Sequence, residues 1–94
     1  MVTLEVLRSR RAEIEAIAAR HGAHHVRVFG SVARGEADER SDVDFLVQFE
    51  TGRSLFDLVR LADDLEDLLE VRVDVGTQVK DRIRERVENE AVAL

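Results

Sequence analysis

Two aspartates, Asp42 and Asp44, stand two residues apart at the start of an apolar run, where their like charges repel each other. On an extended strand, such residues point to the same face with Cα atoms about 6.6 Å apart, so both carboxylates can close around one cation. A third acid, Asp74, lies in a later strand-like stretch, "VRVDV" at 71–75. Magnesium would compensate the three charges, because it prefers oxygen ligands and binds through carboxylates together with substrate phosphates.

A glycine turn precedes this pair of acids. Gly30 and Ser31 follow the strand-like "HHVRVF" at 24–29. Glycine lets the backbone approach a phosphate closely, and peptide N–H groups from Ser31 onward can donate to phosphate oxygens. Arg34 either neutralises a triphosphate or is a surface residue of the turn. Carboxylates beside such a turn are typical of phosphoryl transfer, in which two metal ions about 3.5 to 4 Å apart clamp the attacking and leaving oxygens.

The surrounding pattern predicts the elements that position these residues. Apolar residues at helical spacing predict three helices, over about 3–21, 54–69 and 78–92. Alternation and β-branched residues predict three strands, at 24–29, 42–49 and 71–75. Ser54 and Asp57 resemble a capping box at the start of the second helix.

The order of these elements, α-β-β-α-β-α, predicts an α/β fold: a small mixed sheet of about three strands flanked by helices. The βαβ unit makes the last two strands parallel, and the short connection before it allows an antiparallel pair. Gly30 and Asp42 then lie at one edge of the sheet, and Asp74 lies beside Asp44. The glycine turn and the three carboxylates converge.

Composition restricts the class of protein. We interpret residues 1–94 as a single domain, and the net charge of −6 argues against a general nucleic-acid binder. The absence of cysteine excludes disulfides and thiolate chemistry. No apolar stretch approaches the roughly 20 residues of a membrane span, and the N-terminus has no signal-peptide core. We therefore expect a cytoplasmic protein that binds neither membranes nor nucleic acid directly.

Three histidines, His21, His24 and His25, are interpreted as surface or helix-end residues rather than metal ligands. His24 and His25 are adjacent on a predicted strand, so their side chains should point to opposite faces and could not share an ion.

The stretch "FGSVARGEADERSDVDFLV" at 29–47 resembles the nucleotidyltransferase superfamily that includes DNA polymerase β and kanamycin nucleotidyltransferase. The resemblance is carried by Gly-Ser, ten intervening residues, D-x-D and a third aspartate on a later strand, and it extends over nearly the whole chain. It is greatest for the minimal nucleotidyltransferase (MNT) proteins encoded beside HEPN-domain ribonuclease toxins, which implies the polymerase β-like palm fold.

The resemblance also implies site roles. Asp42 and Asp44 would bind two magnesium ions, Asp74 would bind the catalytic one, and Gly30 and Ser31 would hold the triphosphate of ATP. Some members of the family act as antitoxins by transferring AMP from ATP to a tyrosine of the HEPN toxin.

Since this chain contains no tyrosine, such an acceptor would lie on another protein. Two alternatives remain open at this point. The chain could neutralise a HEPN ribonuclease by binding alone, or it could modify a small hydroxylated substrate together with a helical partner.

Overall fold

The computed structural model describes residues 1–77 and 91–94 and has the predicted mixed α/β architecture. Its helices are α1 (Leu4–Ser9), α2 (Arg11–Arg20) and α3 (Leu55–Leu69). Its strands are β1 (Ala23–Phe29), β2 (Val43–Phe49), β3 (Val73–Gly76) and β4 (Val92–Ala93). Most of the helix predicted over 78–92 lies outside the described residues. Within them, no helix has the length and apolar character needed to cross a membrane.

The four strands form one sheet in the order β3-β2-β1-β4. β1 and β2 are antiparallel and β2 and β3 are parallel, as predicted. The fourth strand was not predicted: Val92, placed at the end of the last predicted helix, pairs with Val28 of β1 instead. The open edge of β1 offers unpaired backbone groups, and this two-residue strand satisfies some of them.

The hydrophobic core lies between the helices and one face of the sheet. Alternate β2 residues, Val43, Phe45 and Val47, point into it and are fully or almost fully buried. They pack with buried residues from every described helix, namely Leu7, Ile14, Ala18, Leu61, Leu65 and Leu69. Because side chains alternate along a strand, the same pattern directs Asp42 and Asp44 to the opposite face.

The predicted first helix is two helices that meet at Arg10. This residue has φ −110° and ψ 19°, outside the helical range. Its backbone N–H donates to the carbonyl of Leu7 at 3.1 Å, and its guanidinium donates to the carbonyl of Leu68 at 3.0 Å. The hydrogen bond to α3 therefore accompanies the break between the two helices. The spacing of apolar residues does not reveal this break, because the same helical spacing continues on both sides of Arg10.

The connection between β2 and β3 is set by the capping of α3. Ser54 Oγ accepts a hydrogen bond from the Phe56 N–H at 3.2 Å, and Asp57 accepts one from the Ser54 N–H at 2.9 Å. The latter bond holds the pKa of Asp57 below its ordinary value. The helix ends at Leu69, and its C-cap residue Glu70, with a φ of 58°, turns the chain towards β3. The predicted capping box is confirmed.

We expect Ser54→Ala to lower the free energy of unfolding by about 1 kcal/mol, because the substitution removes the acceptor for an N–H of the first turn. Urea denaturation measures the change. Thr51→Ala is the control, since Thr51 is an exposed residue of the preceding turn. Equal losses in the two variants would contradict a capping role for Ser54.

Candidate active site

The site is built where β2 and β3 begin. Asp44 is the second residue of β2 and lies directly across from Asp74 of β3 in the parallel ladder. On its other side, Asp44 lies across from Phe29, the last residue of β1. Neighbouring strands are about 4.8 Å apart, so the carboxylate of Asp44 stands between Asp74 and the turn that begins at Gly30. The predicted placement of Asp74 beside Asp44 is confirmed.

Gly30 is in direct contact with Asp44. A Cβ atom at position 30 would lie 2.5 Å from Asp44 Oδ2, a separation that real Cβ atoms do not adopt. The backbone φ of Gly30 is also +78°, in the left-handed region that favours glycine. The positive φ therefore favours glycine at this position, and a side chain there would displace the Asp44 carboxylate.

The turn after Gly30 presents backbone donors. The Arg34 N–H donates to the carbonyl of Gly30 at 3.1 Å, and the Glu36 N–H donates to that of Ser31 at 2.9 Å. Within the described residues, the N–H groups of Ser31, Val32 and Ala33 have no acceptor. Free N–H groups at the start of a helical turn are the donors that a phosphate group accepts from.

The electrostatics of Asp44 reflect this crowding. Burial raises the pKa of Asp44 above its ordinary value, and the negative charges of Asp74 and Asp42 raise it further. A side-chain hydrogen bond with Asp74 acts in the same direction, whereas the positive charge of Arg34 lowers this pKa. Arg34 therefore lies within electrostatic reach of the acids, and its Nε also pairs with Glu36 at 3.0 Å.

The carboxylate oxygens of Asp42, Asp44 and Asp74 are suitable ligands for magnesium that is bound together with a nucleotide. In residues 1–77 and 91–94, no three His, Cys, Asp or Glu side chains converge tightly enough to hold a metal ion by themselves. Magnesium does not need such a cage, because it keeps several waters and binds through one or two carboxylates plus substrate phosphates. Asp42 and Asp44 are half-buried and Asp74 is exposed, so their oxygens remain accessible to such an assembly.

Arg72 is a candidate site residue that the sequence motifs did not indicate. The Val43 N–H donates to the Arg72 carbonyl at 3.0 Å, so the pairing of the two strands continues to this residue. Arg72 and Asp74 are two residues apart, and both are exposed, whereas Val73 between them is buried. Arg72 is therefore on the same side of the chain as Asp74, where a cation could meet an anionic substrate. The i, i+2 spacing within "VRVDV" was the available signal.

The histidines lie away from this edge of β2 and β3. His21 caps the C-terminus of α2 and its Nε2 contacts Asp64 Oδ2 at 2.6 Å, as expected of a helix-end residue. The prediction that His24 and His25 point to opposite faces was wrong: both are exposed, with ring centroids 6.2 Å apart. His25 has a φ of 57°, and the register of β1 shifts between His24 and Arg27, so a bulge breaks the alternation.

Known proteins are similar to this chain over most of its length. The family described as the nucleotidyltransferase domain matches residues 11–94. The chain is 44% identical over 84 residues to a candidate protein adenylyltransferase of Methanocaldococcus jannaschii. This match covers 87% of this chain and 90% of that protein. It is 46% identical over 76 residues to the protein adenylyltransferase MntA of Thermococcus cleftensis, covering 80% and 77% of the two chains.

Solved structures share the fold. The structure of a candidate minimal nucleotidyltransferase superimposes with a TM-score of 0.88 at 55% identity, over 99% of this chain and 97% of that one. A crystal structure of a toxin–antitoxin with AMP-PNP superimposes with a TM-score of 0.75 at 19% identity, over 87% of this chain and 69% of that one, and shows the fold alone. Since the matched range contains the Gly30 turn and all three aspartates, this chain belongs to the nucleotidyltransferase domain family.

Proposed function

We propose that this protein is a magnesium-dependent protein adenylyltransferase that transfers AMP from ATP to a tyrosine hydroxyl of a HEPN toxin and so acts as an antitoxin. The observation that carries the proposal is the position of Asp44, which is held between Asp74 and the Gly30 backbone despite the burial and the repulsion that raise its pKa. Relatives named as protein adenylyltransferases and a structural relative from a toxin–antitoxin with an ATP analogue support it.

The residues have distinct roles in this proposal. Asp42 and Asp44 would hold two magnesium ions, and Asp74 would hold the ion on the acceptor side. When bound, magnesium supplies neutralisation of the charge on the reacting phosphate and lowers the pKa of the acceptor hydroxyl. The free N–H groups that begin at Ser31 donate to the triphosphate, and Arg34 balances part of its charge.

The reaction is a displacement at the α-phosphorus of ATP. The tyrosine oxygen forms a bond to this phosphorus, and the bond from the phosphorus to the oxygen that bridges to the β-phosphate breaks. Pyrophosphate leaves with that electron pair, and the phenolic proton passes to solvent. A phenol has a pKa near 10, so at neutral pH it must be activated in the site. This chain has no tyrosine, so the acceptor belongs to another protein.

Magnesium and ATP together should stabilise the protein. At a nucleotide concentration one hundred times Kd, the free energy of unfolding should rise by about 2.7 kcal/mol, because the ligand binds only the folded state. Thermal melts with ATP, with and without magnesium, measure this effect. An equal shift in the presence of a chelator would argue against a metal-dependent site, and no shift at millimolar ATP would indicate that the nucleotide site is vestigial.

Asp44→Asn should raise the Tm of the ligand-free protein by a few degrees, because it removes a partly buried charge that Asp74 and Asp42 repel. The gain should shrink in high salt, since salt screens the repulsion. Asp63→Asn is the matched control: it makes the same change in net charge on the exposed surface of α3. The Asp44 variant should also lose the stabilisation by magnesium and ATP. A lower Tm for this variant would show that Asp44 serves the fold rather than the ligand.

Intact-mass measurement should separate catalysis from binding. With ATP, magnesium and the toxin, the toxin should gain increments of about 329 Da, the mass of one adenylyl group on a tyrosine oxygen. Asp42→Asn combined with Asp44→Asn should abolish the increments and leave the protein folded. If this double variant still neutralised the toxin fully in cells, neutralisation by binding would be the better account. Efficient labelling of Ser or Thr on this chain alone would refute a tyrosine acceptor.

A further inference from the structure

The first turns of α3 leave large apolar side chains in solvent. Leu55, Phe56 and Val59 are 73%, 76% and 48% exposed. Single exposed apolar residues are ordinary on a protein surface, but these three are neighbours at positions i, i+1 and i+4 of one helix. Contiguous apolar surface of this kind marks a place where another molecule binds.

The same side of α3 continues as an acidic surface. Asp63 and Asp67 follow Phe56 at helical spacing, are exposed, and form no ion pair within the described part of the chain. The helix as a whole holds five acids and one arginine, so it contributes −4 to the net charge of −6. The exposed stripe of α3, defined as Leu55, Phe56, Val59, Asp63 and Asp67, is therefore apolar at one end and acidic at the other. The one arginine of the helix, Arg60, is also exposed on this side between the two ends.

The negative charge of α3 restricts the kind of partner that can bind the stripe. A second copy of the chain would place one acidic helix against another, and nucleic acid or an anionic membrane would also be repelled. A protein that presents apolar side chains flanked by Lys and Arg would match both ends of the stripe. We propose that the exposed stripe of α3 is the docking surface for such a basic protein. Identifying that protein as the toxin rests on the proposed function.

The docking surface and the site lie at opposite ends of α3. Leu69 lies thirteen positions after Phe56, which at 1.5 Å per residue is about 20 Å along the helix. Asp74 follows shortly after that far end. A partner held by Phe56 must therefore reach the acids with an extended segment of at least about six residues, at roughly 3.3 Å each. The acceptor tyrosine should lie on such a segment, away from the surface that docks.

Phe56→Ala combined with Val59→Ala tests the apolar end. Calorimetric titration of the purified protein with its cognate toxin, without ATP, should show affinity at least about 30-fold weaker, as for central interface residues. The Tm and the stabilisation by magnesium and ATP should not change, since both side chains are exposed and distant from the acids. Val6→Ala is the matched control, an apolar residue 39% exposed on α1, and should bind like the unsubstituted protein.

Asp63→Lys combined with Asp67→Lys tests the acidic end. This variant should also bind the toxin more weakly, with the largest difference at low salt, because screening removes a charge effect. Unchanged affinity in both double variants would overturn the proposal. Light scattering that showed a dimer of the unsubstituted chain, dissociated by the apolar double variant, would assign the stripe to self-association and overturn it as well. Stripe-dependent binding without any AMP increment would keep the docking surface and reject the proposed transfer.

Discussion

The close approach of the Gly30 backbone to the Asp44 carboxylate is the constraint on which the rest of the structure depends. A Cβ atom at position 30 would lie 2.5 Å from Asp44 Oδ2, so a side chain there would displace the carboxylate. This contact needs the end of β1 to lie beside the second residue of β2. The antiparallel register meets that need, because it pairs Phe29 with Asp44. The parallel register of β3 then places Asp74 on the other side. The strand order and the two registers together bring Gly30 and Asp74 to opposite sides of Asp44.

The two faces of β2 carry different kinds of side chain: one packs in the core, and the other carries the acids of the proposed site. Val43, Phe45 and Val47 point into the core and are no more than 2% exposed. The alternate residues Asp42 and Asp44 face away, where their repulsion is tolerated because the opposite face is well packed. In the described part of the chain no polar or charged residue is buried as a whole, although Arg27 Nε on β1 is buried without a hydrogen-bond partner. The repulsion among the acids lies at the site. Conflicts of this kind are expected where function, rather than folding, determines the residue.

The sequence predicted the features that follow from strong local patterns. The alternation in β2, the capping box at Ser54 and the parallel pairing in the βαβ unit together place Asp74 beside Asp44. The features that escaped prediction depend on tertiary contacts or on single backbone angles. The break at Arg10 accompanies a hydrogen bond to a distant carbonyl, and the left-handed His25 disrupts a strand whose composition indicates regular alternation. Strand β4 is two residues long, too short to produce any periodic signal.

The crossover helix α3 connects the two halves of the proposed mechanism. Its inner face, with Leu61 and Leu65 fully buried or nearly so, fixes the parallel register that brings the acids together. Its outer face is free to bind a partner, because none of those exposed side chains supports the core. The two proposals therefore assign docking and chemistry to different residues of one βαβ unit, separated by about 20 Å along the helix. A surface arranged in this way can hold a partner whether or not nucleotide is bound, so loss of transfer need not imply loss of binding.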